Sequence, residues 1–385
     1  MTRVTAFRGA RIFDGETTHV DKALVVRGGV VTAITDTSRM PAVDAVIELD
    51  GLIAPGFVDL QVNGGGGVML NDRQDIDAVR TICAAHARFG TTALLPTLIT
   101  DTPKVTRAAV DAAEAAAREQ VTGFLGLHLE GPHLSLARKG AHDPALIRPM
   151  TDGDEAFLIS ARRNLPALLT TVAPESVSPE RIARLKAAGI VVSLGHSDAG
   201  YKTAAEAAAA GASMVTHLFN AMSQIANREP GLVGAAIDLG GLSAGLIADG
   251  IHVDPANIRT ALKAKSLPGR IFLVTDAMAT IGTGMTAFTL NGRTIRREDG
   301  RLTLEDGTLA GADLDMISAV RFMHETIGLP VEEALRMASL YPARAMGLDA
   351  HHGQLGRGTR ADFVQLDDGL GIKSVWIAGE QMHQN

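Results

Sequence analysis

The chain has 385 residues, long enough for one large barrel and a small accessory domain, and 46% of them are hydrophobic against only 4% aromatic. A net charge of −7 with no basic cluster argues against a general nucleic-acid binder. One cysteine, Cys83, excludes an intramolecular disulfide, and no run of some 18 apolar residues suggests a membrane span.

Residues 1–53 read as short strands, VTAFRGARIF, KALVVRGGVVTAIT and AVIELDG, split by Gly and Asp turns. The stretch 351–385 reads alike, through ADFVQLD and IKSVWIAGEQM, so both ends are expected to build one small β-sandwich domain. Across 54–350, eight apolar strand-like runs alternate with helix-like ones. They are FVDLQVN, TTALLPT, FLGLHLE, ALLTTVAP, IVVSLGH, SMVTHLF, SAGLIAD and IFLVTDA. That alternation implies parallel strands with crossover helices, and eight is the number that closes a (β/α)8 barrel of the TIM type. MTAFTLNGRTIRREDGRLTLEDG interrupts the pattern, and its NG and DG pairs predict a β-hairpin inserted near 286–308. Cys83 lies in the helix-like DIDAVRTICAAHARFG, as a buried structural thiol. MTRVTAFRGARIFDG has no apolar core of a secretory signal, and the reading is a soluble cytoplasmic protein.

Chemistry concentrates at the carboxyl ends of the strand-like runs, where barrel enzymes build their sites. Glu130, His196 and His217 end the third, fifth and sixth runs and number the three protein ligands of a catalytic metal. Asp276 ends the eighth, next to the first in a closed barrel, and can serve as proton carrier; a fourth metal ligand or a helix N-cap are its other readings. Gln61 and Asn63 share the interior face of the first strand, where many barrel hydrolases place two histidines for a second metal. Amides bind Zn²⁺ poorly, so one tightly held divalent ion is expected: Zn²⁺ first, with Fe²⁺, Mn²⁺ or Co²⁺ also suited to the donors.

Other features carry less. The glycine run 64–67 lacks the GK[ST] ending of a P-loop and reads better as close backbone approach. His142, Asn220, Arg228 and His252 follow barrel strands and could recognise an anionic substrate. His86, His324, His351 and His352 are read as structural, while the roles of His128 and His133 stay open.

HLEGPHLS, KGAHDP, LGHSDA, THLFNAM, NREPGLVGA, IADGIHVD and LVTDAM, in this order, resemble the signatures of the N-acetylglucosamine-6-phosphate deacetylases, within the amidohydrolase superfamily. PGFVDLQVNG and LGRGTRADFVQLD extend the resemblance nearly end to end. The resemblance implies Glu130, His196 and His217 as metal ligands, Asp276 as general base and acid, and His142 as the group orienting the acetyl carbonyl. It places His252, Asn220 and Ala221 around the sugar phosphate, and makes Arg228 a phosphate contact that can come from the partner subunit of a homodimer. Gln61 and Asn63 match the one-metal branch. The fourth run ends in TTVAPE, without the carboxylated lysine of dihydropyrimidinase-like relatives. The implied reaction releases acetate from N-acetylglucosamine 6-phosphate in amino-sugar metabolism. Its rivals are the same chemistry on N-acetylgalactosamine 6-phosphate and a non-catalytic sugar-phosphate-binding barrel.

Overall fold

The computed structural model describes residues 3–384. Eight parallel strands form the central sheet: β1 (Phe57–Val62), β2 (Thr91–Ile99), β3 (Leu127–Glu130), β4 (Leu168–Val172), β5 (Val191–Leu194), β6 (Met214–Val215), β7 (Ser243–Leu246) and β8 (Ile271–Leu273), each paired with the next in sequence. Nearly every residue in them is buried, as expected when helices cover one face and the barrel interior the other. The seam between β8 and β1 closes just beyond the regular strands. There the Asp276 amide donates to the Gln61 carbonyl at 3.0 Å and the Asn63 amide to the Ala277 carbonyl at 2.9 Å. The expected (β/α)8 barrel is therefore present.

Helices follow the strands in turn, from α1 (Ile76–Ala87) after β1 to α2 (Met316–Glu325) after β8. Short polar side chains start several of them: Asp75 accepts from the Ala78 amide, and Asp254 from the Ala256 amide. Cys83 is buried on α1, and burial pushes its thiol up to about 12, as befits a packing residue. The main core is aliphatic, as the scarcity of aromatics requires.

Both termini do form the small domain. One sheet orders Val30–Asp36, Lys22–Arg27, Val4–Arg8 and Ala45–Glu48. The other interleaves C-terminal strands Glu380–Gln384, Ile372–Ile377 and Phe363–Leu366 with N-terminal strands Leu52–Pro55, Arg11–Phe13 and Thr18–His19. Phe7, Phe363 and Trp376, the chain's one tryptophan, meet in the layer between them.

The insertion is larger than the expected hairpin. It is a four-stranded antiparallel meander, Ala287–Leu290, Arg293–Glu298, Arg301–Thr303 and Leu309–Ala312. Asn291–Gly292 and Asp299–Gly300 make its first two turns with both residues at positive φ. The third pair, Asp306–Gly307, makes another turn and returns the chain to the barrel seam, where the Ala312 amide donates to the Asp276 carbonyl.

Candidate active site

Three side chains meet above the carboxyl ends of the strands. Glu130 Oε1 lies 3.2 Å from His196 Nε2 and 3.2 Å from His217 Nε2, and the two imidazole nitrogens are 3.0 Å apart. His196 Nδ1 is 2.8 Å from the Arg138 carbonyl, which can only accept, so the proton sits on Nδ1 and the Nε2 lone pair faces the triangle. All three residues are buried. A lone-pair nitrogen, a second imidazole nitrogen and a carboxylate oxygen converging away from water favour a positive charge among them. In a tetrahedral zinc site, metal–ligand distances of about 2.0–2.1 Å place neighbouring donor atoms about 3.3–3.4 Å apart. The triangle matches that spacing, so Glu130, His196 and His217 fit a divalent ion. Glu130, His142 and His196 also offer ligand atoms within 4.8 Å of one another. This second set is looser, with His142 Nε2 at 4.0 Å from Glu130 Oε2.

The electrostatics agree. Burial alone would raise Glu130, but the His196 and His217 rings beside it, when they carry a proton on Nε2, outweigh it and hold the carboxyl well below its usual range, as any positive charge at that place would. Burial would lower His217, yet its bond to Glu130 raises it. Asp276 goes the other way: burial raises it, and the nearby Glu130 charge adds to the effect.

His142 is held differently. Its Nδ1 accepts from the Thr100 amide at 3.3 Å and lies 2.7 Å from the Thr100 hydroxyl. In the neutral ring the proton therefore sits on Nε2, on the side of Glu130, making His142 a hydrogen-bond donor. Neutrality is enforced, because burial drives its pKa well below the ordinary value.

Gln61 and Asn63 act as donors. Gln61 Nε2 is 3.3 Å from both Glu130 oxygens, and Asn63 Nδ2 is 2.7 Å from Asp276 Oδ1. His196, His217 and Asp276 all have positive φ, 46°, 30° and 51°. A non-glycine residue held there costs about 1–3 kcal/mol, strain that clusters at functional sites. No helix begins after Asp276, which removes the N-cap reading.

Local sequence explains these placements. A Cβ at Gly195 would come within 2.9 Å of Thr171 and Thr216, so the residue before His196 has no room for a side chain. A Cβ at Gly140 would sit 3.2 Å from the His196 ring. The glycine run 64–67 spends amides on the seam: Gly64 donates to the Ala277 carbonyl, Gly66 to that of Ile281 and Gly67 to that of Ala279. This is close backbone approach, with those donors unavailable to a phosphate.

A cavity of about 380 Å³ gathers Glu130, His142, His196, His217, Asn220, Ala221, His252, Asp276 and Asn63. His252 Nδ1 donates to Asp249 at 2.6 Å, which fixes the ring. Gln61 is not part of the cavity lining, and Arg228 is exposed on the loop after β6, outside it as well. His128 lies within the barrel, Nδ1 to the Leu60 carbonyl at 3.0 Å and Nε2 to the Thr171 hydroxyl at 2.8 Å. Thr171 thus occupies the interior on β4, the strand whose end lacks a lysine. His133 bonds the Arg148 carbonyl and lines a separate cavity.

Sequence reasoning missed three contributors. The Arg138 carbonyl is a backbone group and has no sequence signature. Thr100 meets His142 only through the fold. Asp59 had a signal, since period two puts it on the face of Gln61 and Asn63. It is fully buried, accepting from the Thr275 hydroxyl at 2.5 Å and the Gln61 amide at 3.2 Å, and burial pushes it up to about 7.

Comparisons with known proteins place the chain in a family. Residues 52–382 match the Amidohydrolase family. An N-acetylgalactosamine-6-phosphate deacetylase of Shewanella sp. (strain ANA-3) is 44% identical over 87% of this chain and 84% of its own length. An N-acetylglucosamine-6-phosphate deacetylase of Haemophilus influenzae is 35% identical over 94% of each. The crystal structure of N-acetylglucosamine-6-phosphate deacetylase from Pasteurella multocida superposes with a TM-score of 0.94 at 34% identity, covering 99% of this chain and 100% of that one. With the barrel, the Glu-His-His cluster and these matches together, the chain belongs to the amidohydrolase family, among its N-acetylhexosamine-6-phosphate deacetylases.

Proposed function

We propose that this enzyme hydrolyses N-acetyl-D-glucosamine 6-phosphate to D-glucosamine 6-phosphate and acetate, in amino-sugar catabolism and recycling. One observation carries the reading: Glu130, His196 and His217 converge in one cavity with a neutral donor, His142, and a carboxylate with a raised pKa, Asp276. A divalent ion on those three ligands, Zn²⁺ in this reading, would supply Lewis-acid polarisation of the acetyl carbonyl and a lowered pKa for water.

The protein supplies the rest. His142 Nε2–H donates to the carbonyl oxygen as negative charge develops there. Asp276 takes a proton from the attacking water. It returns that proton to the amide nitrogen as the C–N bond breaks, so glucosamine leaves as an amine. Asn63 occupies Oδ1 of Asp276 and leaves Oδ2 for the proton. The raised pKa suits both halves of the task, making Asp276 a better base than an ordinary aspartate and still able to give the proton back. Asn220, Ala221 and His252 surround the sugar phosphate. Arg228, exposed and outside its own cavity, reaches the partner's phosphate in a homodimer.

The same reading places the enzyme in the cytoplasm. No helix among the described residues is long and apolar enough to cross a membrane. It also assigns catalysis to 54–350 and treats 1–53 and 351–385 as the accessory domain. A second reading has one observation in its favour: the relative at 44% identity is named for the galactosamine epimer. Metal content of the purified protein, followed by kcat/KM for acetate release from both epimers, tests the proposal. A metal-replete enzyme that binds either sugar phosphate without releasing acetate would sink it in favour of a sensor.

A further inference from the structure

The cavity lining includes Ile247 from the main core, but its largest apolar group lies next to the residues assigned to the reaction. Ile99, Ala141, Met278 and Leu290 line the cavity and belong to a single hydrophobic cluster distinct from the main barrel core. Three of them are near neighbours in sequence of those groups. Ile99 precedes Thr100, which holds His142 Nδ1; Ala141 precedes His142 itself; Met278 lies two residues beyond Asp276. The fourth, Leu290, comes from the inserted meander, which adds Leu309 and Gly311 to the same lining. Gly311 fixes Met278 closely, since a Cβ there would lie 2.5 Å from both Cγ and Sδ of the methionine. The cavity's polar lining, by contrast, includes Arg138, Asn220 and His252.

The one wholly apolar substituent of an N-acetylated hexose phosphate is the methyl of its acetyl. That methyl is bonded directly to the carbon under attack, so it must lie beside His142 and Asp276. We infer that Ile99, Ala141, Met278 and Leu290, completed by Leu309, form the acyl subsite, and that the inserted meander closes it to the size of an acetyl group. The inference rests on the deacetylase reading and extends it, making the insertion the element that sets acyl-chain length.

The test compares kcat/KM for N-acetyl, N-propionyl and N-butyryl glucosamine 6-phosphate in the wild type, Leu290→Ala and Leu309→Ala. One methylene in an apolar pocket is worth roughly 10–200-fold in discrimination. The wild type should prefer acetyl, and each alanine should shift the butyryl-to-acetyl ratio at least about tenfold toward butyryl. Leu309 is only partly buried, so its variant reads the ratio even if loss of the fully buried Leu290 weakens folding. Wild-type acetate release with an unchanged ratio in Leu309→Ala overturns the acyl subsite and leaves the reaction standing. A wild type that releases no carboxylate from any of the three overturns both.

Discussion

Asn63 Nδ2 donates a 2.7 Å hydrogen bond to Oδ1 of Asp276, across the seam that closes the barrel. Gln61, on the same strand face, donates to Glu130. The two amides thus orient the two carboxylates of the site, at positions where a pair of histidines would bind a second ion. Substituting both, Gln61→His with Asn63→His, should raise the bound metal from one toward two per chain, read by elemental analysis. A stoichiometry that stays at one would mean that something other than the amides excludes the second ion.

Asp276 carries both proton transfers in the proposed reaction. Asp276→Asn keeps the volume and can still accept from Asn63, but it cannot take a proton. General acid–base assistance is worth about 10²–10⁴-fold, and serving both steps places the loss toward the upper end. We expect kcat to fall by about 10³-fold or more, with metal content unchanged. Turnover near the wild-type rate would assign the proton transfers to another group.

His142 and His196 have ring centroids only 4.3 Å apart, yet their partners give them opposite roles. The Arg138 carbonyl leaves His196 with a free Nε2 lone pair, whereas the Thr100 amide leaves His142 with an Nε2 proton. His196→Ala should therefore strip the metal. His142→Asn should keep it and lose about 10²–10³-fold in kcat, the value of one oxyanion donor. Metal loss in His142→Asn would put His142 in the ligand set in place of His217.

The convergence of strand-end residues was legible because two simple signals coincide: short β-branched runs, and a polar residue capable of chemistry at the end of each. Glu130, His196, His217 and Asp276, which line one cavity, were singled out that way. What was not legible is what joins distant segments. The Thr100–His142 bond spans 42 residues and the Asp59–Thr275 bond 216, and no local pattern encodes either. The third turn of the meander was written in the sequence as Asp306–Gly307, but deciding that it adds strands to a hairpin depends on pairing partners. Arg228 shows the converse limit: a matching motif names the residue, while a single chain leaves it outside the cavity.

Buried histidines also set how the fold responds to acid. His86 on α1 bonds the Gly64 carbonyl at 2.9 Å, and burial pulls its pKa down to about 4; His128 is pulled to about 4 as well. Each is neutral in the fold but binds a proton when unfolded below about 6.5. The unfolded state therefore holds more protons between those limits, and stability falls as pH drops from about 6.5 to 4. Asp59 opposes this. Its folded pKa, raised to about 7, contributes stability that is full below about 3.9 and is lost as pH rises through 7. Asp276, also raised by burial, to about 6, opposes it in the same way, so two aspartates offset much of what the two histidines lose toward acid. His86→Gln keeps a donor for the Gly64 carbonyl and removes one titrating group. Relative to the wild type, its urea midpoint should gain as pH drops from about 6.5 to 4.5; a constant difference between the two proteins would show that His86 takes up a proton in the fold as readily as in the unfolded chain.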